Sequence, residues 1–297
     1  MKKLMLIVNP AAGRGAYEKE IGRALHTLYG GGCLPTVYFT EATGDAVRLA
    51  AAHAADYDIV CCIGGDGTLS ETVSGLMQAP VRPPIGYFPL GTTNDVATTL
   101  GLPKNDMPRA AEVICAGRAV DFDVGCFGEK EYFTYVAAFG AFTDVSYETP
   151  QEQKQALGHL AYVLEGMTRL PRLTSYRCWV SLDGGPEEEH SVLFGGVMNS
   201  TSVAGLVRLD SERVQLDDGL FEVVLVRNPR SVADFKQLLG EAKRSDFTQG
   251  EFLFVRQARS VRFRFETPVP WTRDGESGGA FEEVTLCNSA RAVQFLV

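Results

Sequence analysis

Ile59-Val60-Cys61-Cys62-Ile63-Gly64-Gly65-Asp66-Gly67-Thr68-Leu69 is the stretch that decides the fold. Its first five residues are all apolar and three of them are β-branched, which reads as a short buried strand of the kind found in parallel sheets covered by helices. The run stops at a pair of glycines, and a helical pattern opens at Leu69 and extends over residues 69–78. Between the two, three glycines let backbone N–H groups approach an anion without Cβ obstruction, the helix N-terminus adds a positive field, and Thr68 adds a hydroxyl donor. Asp66 would repel a phosphate unless a metal intervenes, so it calls for Mg²⁺ nearby. A tight strand-to-helix turn also accounts for the glycines, though less readily for Asp-Gly-Thr after a glycine pair.

Outward from this segment, apolar runs over residues 4–8, 36–39, 59–63 and 85–88 read as strands. Helical periodicity over 16–29, 45–55, 69–78, 95–100 and 109–116 fills the intervals. Strand and helix in alternation predict right-handed crossovers and a parallel sheet. Past Val120 the texture changes to β-branched and aromatic runs over 132–138, 176–182, 192–198, 221–226, 252–255 and 261–265. Gly128-Glu129-Lys130 and Asp183-Gly184-Gly185-Pro186 are hairpin signals, and one inserted helix is expected near 151–170. The reading is an α/β N-terminal domain with a parallel sheet over 1–122, then an antiparallel β-sandwich over 123–297. A return of the C-terminal strand to the first domain is left open.

A chain of 297 residues suits two domains, and 45% apolar with 22% charged residues is ordinary globular composition. A formal charge of −9 gives no overall attraction for nucleic acid or anionic lipid, so nucleic acid is not an expected partner. Lys2-Lys3 before an apolar run mimics a signal peptide, but the run ends at Asn9-Pro10, too early for one. No stretch approaches the ~20 apolar residues of a transmembrane helix. Seven cysteines without a C-x-x-C pair read as buried reduced thiols, and the four histidines show no metal-ligand spacing.

Two further loops follow strands. Asn9-Pro10-Ala11-Ala12-Gly13-Arg14-Gly15 comes after residues 4–8, and Gly91-Thr92-Thr93-Asn94-Asp95 comes after 85–88. Ligands of open parallel sheets gather at the carboxyl ends of strands, so three loops should converge on one edge. Taken alone, the first is as readily an ordinary loop, and Asp95 is more readily a helix cap; convergence with Asp66 is what turns the reading towards function. Neither G-x-x-x-x-G-K-[ST] nor a complete dinucleotide fingerprint is present.

Asn9-Pro-x-Ala-Gly13, Gly64-Gly-Asp-Gly-Thr68 and Gly91-Thr-Thr-Asn-Asp95, in that order, together with Asp217-Asp218-Gly219-Leu220 and Asp274-Gly275-Glu276, resemble the diacylglycerol kinase catalytic family, which includes sphingosine and ceramide kinases. The resemblance covers nearly the whole chain. It implies ATP-dependent phosphorylation of a lipid hydroxyl, diacylglycerol or a relative, by a cytoplasmic protein at the inner membrane leaflet, with a homodimer left open. It implies a nucleotide site at Asn9, Thr40, Gly64, Gly65, Asp66, Gly67, Thr68, Thr92 and Asn94. Glu276 would be the base, with Asp274 beside it, and Asp66 and Asp95 would join the chemistry. The catalytic Mg²⁺ would be held by Asp66, Asp95 and Asp123, directly or through water. A structural Mg²⁺ would take Gln215, Asp218 and the Leu220 carbonyl.

Local readings stand beside these. Asp274-Gly275 has the form of a hairpin turn and Asp217-Asp218-Gly219 that of a turn into a strand. Residues 199–205 carry fewer glycines than many family members have there. Arg169, Arg172 and Arg208 are candidates to face anionic headgroups, and Phe139, Phe142 and Tyr162 to line an acyl cleft, against ordinary solvated charge and core packing. NAD kinase is the nearest competing enzyme, although it lacks the Gly91–Asp95 type of loop. A phosphofructokinase-like sugar kinase is weaker, and the non-enzyme reading is a regulator that binds nucleotide or lipid without catalysis.

Overall fold

The structure is a computed structural model describing residues 1–15, 17–141, 174–199, 202–203, 207–208, 215–242 and 250–297. The helix expected near 151–170, and Phe142, Tyr162, Arg169 and Arg172, lie outside these residues. The chain divides into two units.

The first unit comprises Met1–Val124, Glu131–Thr134 and Ser289–Val297. Its order is β1 (Lys2–Val8), α1 (Tyr17–Gly30), β2 (Cys33–Phe39), α2 (Asp45–His53), β3 (Ile59–Gly64), α3 (Asp66–Gln78), β4 (Ile85–Pro89), α4 (Asp95–Thr99) and α5 (Met107–Ala116). The strands lie in the order β2-β1-β3-β4, and each neighbouring pair is parallel. All six residues of β3 are buried, because helices cover both faces. Leu4, Leu6, Val8, Cys61 and Ile63 pack against Ala24 and Leu28 of α1 and Met107, Ala110 and Ile114 of α5. The pleat turns Met5, Ile7, Val60 and Cys62, also fully buried, to the other face, where the Cys62 thiol bonds Thr72 of α3. There α3 crosses α2 so closely that a Cβ on Gly75 would stand 2.4 Å from the Val47 carbonyl.

The chain leaves the first unit within β5 (Ala119–Phe127), revisits it in β6 (Glu131–Phe133), and returns within β15 (Glu276–Leu296), whose Phe295 pairs in parallel with Ile85. The second unit comprises Gly125–Lys130 and Tyr135–Asn288. It holds β7 (Val136–Gly140), β8 (Tyr176–Leu182), β9 (Glu188–Met198), the two-residue strands β10 (Ser202–Val203) and β11 (Val207–Arg208), β12 (Phe221–Arg227), α6 (Val232–Ala242), β13 (Leu253–Ala258) and β14 (Ser260–Arg273). The order β13-β12-β9-β7-β14-β15 is antiparallel throughout, and β8 joins β9 to β14 beyond the reach of β7. Phe139 is the hub of the core, with ring centroids of Trp271 at 4.7 Å, Phe265 at 4.9 Å and Phe263 at 5.5 Å. Its complete burial makes it a packing residue.

Several boundaries differ from the sequence reading. Helix α3 starts at Asp66 and not Leu69, with Gly65 as its N-cap, because glycine is tolerated in a first turn whose amides lack helical partners anyway. The run 132–138 is two strands, β6 and β7. Helix α6 was not anticipated, although Ser231 Oγ accepts from Asp234 N–H at 3.1 Å and donates to Asp234 Oδ1 at 2.6 Å, while Asp234 Oδ2 accepts from Arg230 N–H at 2.9 Å, a side-chain cap closely related to a capping box. The thiols are free but not uniformly buried, since Cys287 is exposed and Cys115 and Cys126 are half-buried.

Truncating Phe139 to alanine should cost about 3–5 kcal/mol, read as a lower guanidinium midpoint. A loss below about 1 kcal/mol would show that the aromatic hub does not carry the second unit's core.

Candidate active site

Strands β1, β2, β3 and β4 run in the same direction, so the residues that follow them lie at one edge of the first unit's sheet: Asn9, Thr40, Gly65 and the Leu90–Gly91 pair. The backbone fastens this edge. Asn9 N–H donates to the Ile63 carbonyl at 3.0 Å, Thr40 N–H to the Val8 carbonyl at 2.9 Å, and Leu90 N–H to the Gly64 carbonyl at 2.8 Å. Side chains then join the loops. Asn9 Nδ2 donates to Thr68 Oγ1 at 3.0 Å, while Asn9 Oδ1 accepts from Ala11 N–H at 3.0 Å and closes its own loop. Thr68 is therefore a buried joint as well as a hydroxyl at the head of α3.

The glycines are spaced by contact. A Cβ on Gly64 would meet the Thr68 side chain at 2.4 Å. A Cβ on Gly65 would stand 3.2 Å from the Gly91 Cα, and one on Gly91 would stand 2.6 Å from the Gly65 Cα. The Gly64–Thr68 and Gly91–Asp95 loops thus touch backbone to backbone. Asn94, at φ +51 and almost fully buried, holds the second loop in shape: its Oδ1 accepts from Gly91 N–H at 2.9 Å and its Nδ2 donates to the Gly91 carbonyl at 2.8 Å. The Tyr87 hydroxyl, which the sequence reading missed, reaches both the Gly64 carbonyl (3.4 Å) and Asn94 Oδ1 (3.3 Å). Lys104 clamps the loop through the Thr93 carbonyl at 2.7 Å. Thr92 stays exposed, and so does Phe39, beside Thr40, with the Tyr17 ring 6.4 Å away.

Asp66 and Asp95 are the first residues of α3 and α4, both half-buried. A carboxylate there also complements the positive end of its helix. Asp123 differs: it is fully buried on β5, and its Oδ1 accepts from Arg291 N–H at 2.7 Å. Among the described residues, no three or more His, Cys, Asp and Glu side chains stand close enough to hold a metal. Asp66, Asp95 and Asp123 therefore form no direct cage. Asp66 and Asp95 instead suit a cation that keeps its waters and takes most of its ligands from phosphate, as Mg²⁺ does.

In the second unit, Asp274 (φ +48) and Gly275 (φ +84) make the two-residue turn between β14 and β15, with Arg273 paired to Glu276. Asp274 is buried, and its Oδ1 accepts from Tyr135 N–H at 3.0 Å and Val136 N–H at 3.1 Å. The hairpin reading is correct, and the carboxylate also fixes the entry into β7. Glu276 is exposed. Asp218 Oδ1 accepts from Leu220 N–H at 2.9 Å across Gly219 (φ +79), and the Leu220 carbonyl accepts from Asn288 Nδ2 at 3.0 Å. Gln215 is exposed. Two residues beyond Leu220, buried Glu222 receives a bond from Gln257 Nε2 at 3.1 Å. Burial pushes its carboxyl up to about 7, with Gln257 opposing the rise and Asp218 adding to it. Arg262 and Arg264 are tied to Glu187, at 3.1 and 2.7 Å. The Arg208 side chain lies outside the description.

The chain thus combines a parallel sheet that carries a glycine–aspartate loop at its carboxyl edge with an antiparallel domain. The diacylglycerol kinase catalytic domain family matches residues 3–127, and the YegS C-terminal NAD kinase beta sandwich-like domain matches residues 138–293. The diacylglycerol kinase of Staphylococcus aureus strain JH9 is 34% identical over 281 residues, covering 94% of this chain and 87% of its own, and the Newman strain's protein matches equally. A crystal structure from Bacillus anthracis strain Sterne superposes with a TM-score of 0.82 at 25% identity, covering 99% of this chain and 95% of its own. Yeast NADH kinase with NADH shares the fold at a TM-score of 0.53 and 12% identity, covering 99% and 82%. This chain belongs to the diacylglycerol kinase family and is a phosphotransferase. Among the described residues no helix is long and apolar enough to cross a membrane.

Gly91→Ala should lower the melting temperature more than Gly65→Ala, with a cost of roughly 1–3 kcal/mol, because its Cβ would stand 2.6 Å from the Gly65 Cα, against 3.2 Å for the reverse contact. Equal melting of the two variants would mean that the loops part freely. Glu222 binds its proton more tightly folded than unfolded, so its contribution to stability is full below the ordinary Glu pKa and is lost as pH rises through about 7. Glu222→Gln should therefore gain stability relative to the parent between pH 5 and pH 8, by a few kcal/mol at most. A difference independent of pH, measured in chelator, would refute the raised carboxyl.

Proposed function

We propose that this chain transfers the γ-phosphate of ATP to the hydroxyl of a lipid, diacylglycerol or a close relative. The observation that carries the reading is the backbone contact of the Gly64–Thr68 and Gly91–Asp95 loops at the carboxyl edge of the sheet. That contact brings the head of α3 beside a second strand-end loop in a chain 34% identical to a diacylglycerol kinase over 94% of its length.

In this reading, unobstructed N–H groups around Gly64, Gly65 and Gly67 receive the nucleotide phosphates, and the N-terminal field of α3 favours their charge. Asn9, Thr40, Thr68 and Thr92 complete the nucleotide site, with Asn94 shaping it from within. Mg²⁺, when bound with the nucleotide, neutralises β- and γ-phosphate oxygens, and Asp66 and Asp95 would hold it through its waters. Asp123 is assigned to the same network from the strand side. Glu276 takes the proton of the acceptor hydroxyl, and buried Asp274 keeps its hairpin in register. Gln215, Asp218 and the Leu220 carbonyl are all oxygen donors and are assigned to a second, structural Mg²⁺. The setting we infer is cytoplasmic, with peripheral contact to the inner leaflet.

The test is labelled ATP and Mg²⁺ with mixed micelles of diacylglycerol, phosphatidylglycerol, sphingosine or undecaprenol, and NAD in a parallel reaction. Label in a lipid supports the reading and identifies the acceptor, whereas label in NAD alone overturns it. Asp66→Asn and Glu276→Gln should each lower kcat by about 10²–10⁴-fold without moving the melting temperature by more than a few degrees. Near-normal turnover in Glu276→Gln would remove it as the base.

A further inference from the structure

Cys126 and Cys287 have no part in the chemistry described above, yet they face each other across two strands. Strands β5 and β15 pair, and Gly128 N–H donates to the Thr285 carbonyl at 2.9 Å while Val297 N–H donates to the Arg118 carbonyl at 2.8 Å. Residue numbers rise on one strand as they fall on the other, so the pairing is antiparallel. The two bonds differ in register by two residues, so the pairing is irregular between them; in the register of the nearer bond, Gly128 with Thr285, two steps along each strand set Cys126 opposite Cys287. The register of β15 on its other side is regular there, with Ser260 opposite Cys287 and Val261 opposite Leu286.

Directly opposed residues project from the same face of a sheet. Leu286 is buried and Phe127 packs on Phe281 and Trp271, so the alternate positions 126 and 287 take the outer face. Cys287 is accordingly exposed and Cys126 half-buried. Hydrogen-bonded antiparallel neighbours have Cα atoms about 5.5 Å apart, inside the roughly 4.4–6.8 Å span that a disulfide bridges. The two thiols also feel each other electrostatically: after burial, the nearby Cys287 is what raises the Cys126 thiol. The other five cysteines are screened differently. Cys33, Cys61, Cys62 and Cys178 are buried, and the Cys115 thiol bonds that of buried Cys33 and faces the Thr27 carbonyl at 3.7 Å, whereas Cys126, whose thiol donates to the Gly128 carbonyl at 3.4 Å, has the exposed Cys287 as its cysteine neighbour.

We propose that Cys126 and Cys287 form a redox-active dithiol which a small disulfide such as oxidised glutathione converts reversibly into a cross-strand bond. Exposed Cys287, as thiolate, attacks one sulfur of the reagent. The reagent's S–S bond breaks, one glutathione thiolate leaves and takes up a proton, and a mixed disulfide remains on Cys287. Cys126 then loses its proton to solvent and attacks the Cys287 Sγ, releasing the second glutathione. The chain gives up two protons and two electrons, and the reagent becomes two thiols. An exposed disulfide of this kind is readily reduced again.

The full chain is incubated with oxidised glutathione, alkylated, cut with trypsin without reductant and examined by mass spectrometry. Cleavage after Arg118, Lys130, Arg273 and Arg291 places the two cysteines in peptides 119–130 and 274–291. The expected product is these two peptides joined, two hydrogens lighter than their sum and separated by dithiothreitol. Cys126→Ser should leave a stable glutathione adduct on Cys287, at least tenfold more abundant than in the parent, and Cys287→Ser should abolish both products. The same stable adduct on Cys287 in the parent as in Cys126→Ser, with no joined peptides, would overturn the proposal, as would two unmodified thiols.

Discussion

Two glycine backbones in van der Waals contact set the geometry on which the candidate site depends. Gly65 and Gly91 follow neighbouring parallel strands; a Cβ on Gly91 would collide with the Gly65 backbone, and one on Gly65 would press on Gly91. Because they touch, Asn94 can close its loop on Gly91 while the Tyr87 hydroxyl reaches from β4 to both loops. Because Gly65 caps α3 without a side chain, the amides of the first turn are not consumed by a capping hydroxyl or carboxylate. The carboxylates of Asp66 and Asp95 are thereby carried on the first turns of two helices whose separation is fixed by main chain, the least adjustable part of a protein. A site assembled this way has its distances set before any ligand arrives, as positioning-dominated phosphoryl transfer demands.

The first unit was legible because its strands are short, wholly apolar and punctuated. Residues 4–8, 59–63 and 85–88 all lie inside observed strands, and their burial on both faces is what produced the continuous runs. The start of α3 was read three residues late because Asp-Gly-Thr carries turn chemistry that a first helical turn also accepts. Strand β15 (Glu276–Leu296) was anticipated only as a C-terminal strand without bounds, for the opposite reason. Only one face of it is apolar, its alternation is carried by Val284 and Leu286 among polar neighbours, and Gly278 and Gly279 interrupt its beginning. Helix α6 did carry a legible signal in Ser231 and Asp234, overlooked amid the β-rich texture.

The site was legible as a set of motifs and much less so as a set of roles. Asn94 belongs to a motif, yet its amide is committed to its own loop, a fact that depends on a left-handed backbone no composition reveals. For Asp274 the two readings of the sequence are compatible: a hairpin turn at positive φ is what lets one buried carboxylate accept two amides from the start of β7. Asp123 shows the limit most clearly. Its alignment with Asp66 and Asp95 came from the family pattern, but its burial and its bond to Arg291, 168 residues away, are tertiary facts.

The return of the chain within β15 also has a consequence for biosynthesis. Ser289–Val297 belong to the first unit, where Phe295 and Leu296 are buried and Phe295 stacks edge-on against Phe122 at 5.0 Å. A ribosome delivers those residues only after the whole second unit has been made. During synthesis, the open edge of β4 and the apolar surface meant for Phe295 must wait, so the nascent first unit emerges with an unfinished core. The architecture trades early independence of its N-terminal half for a chain whose two units are finished together.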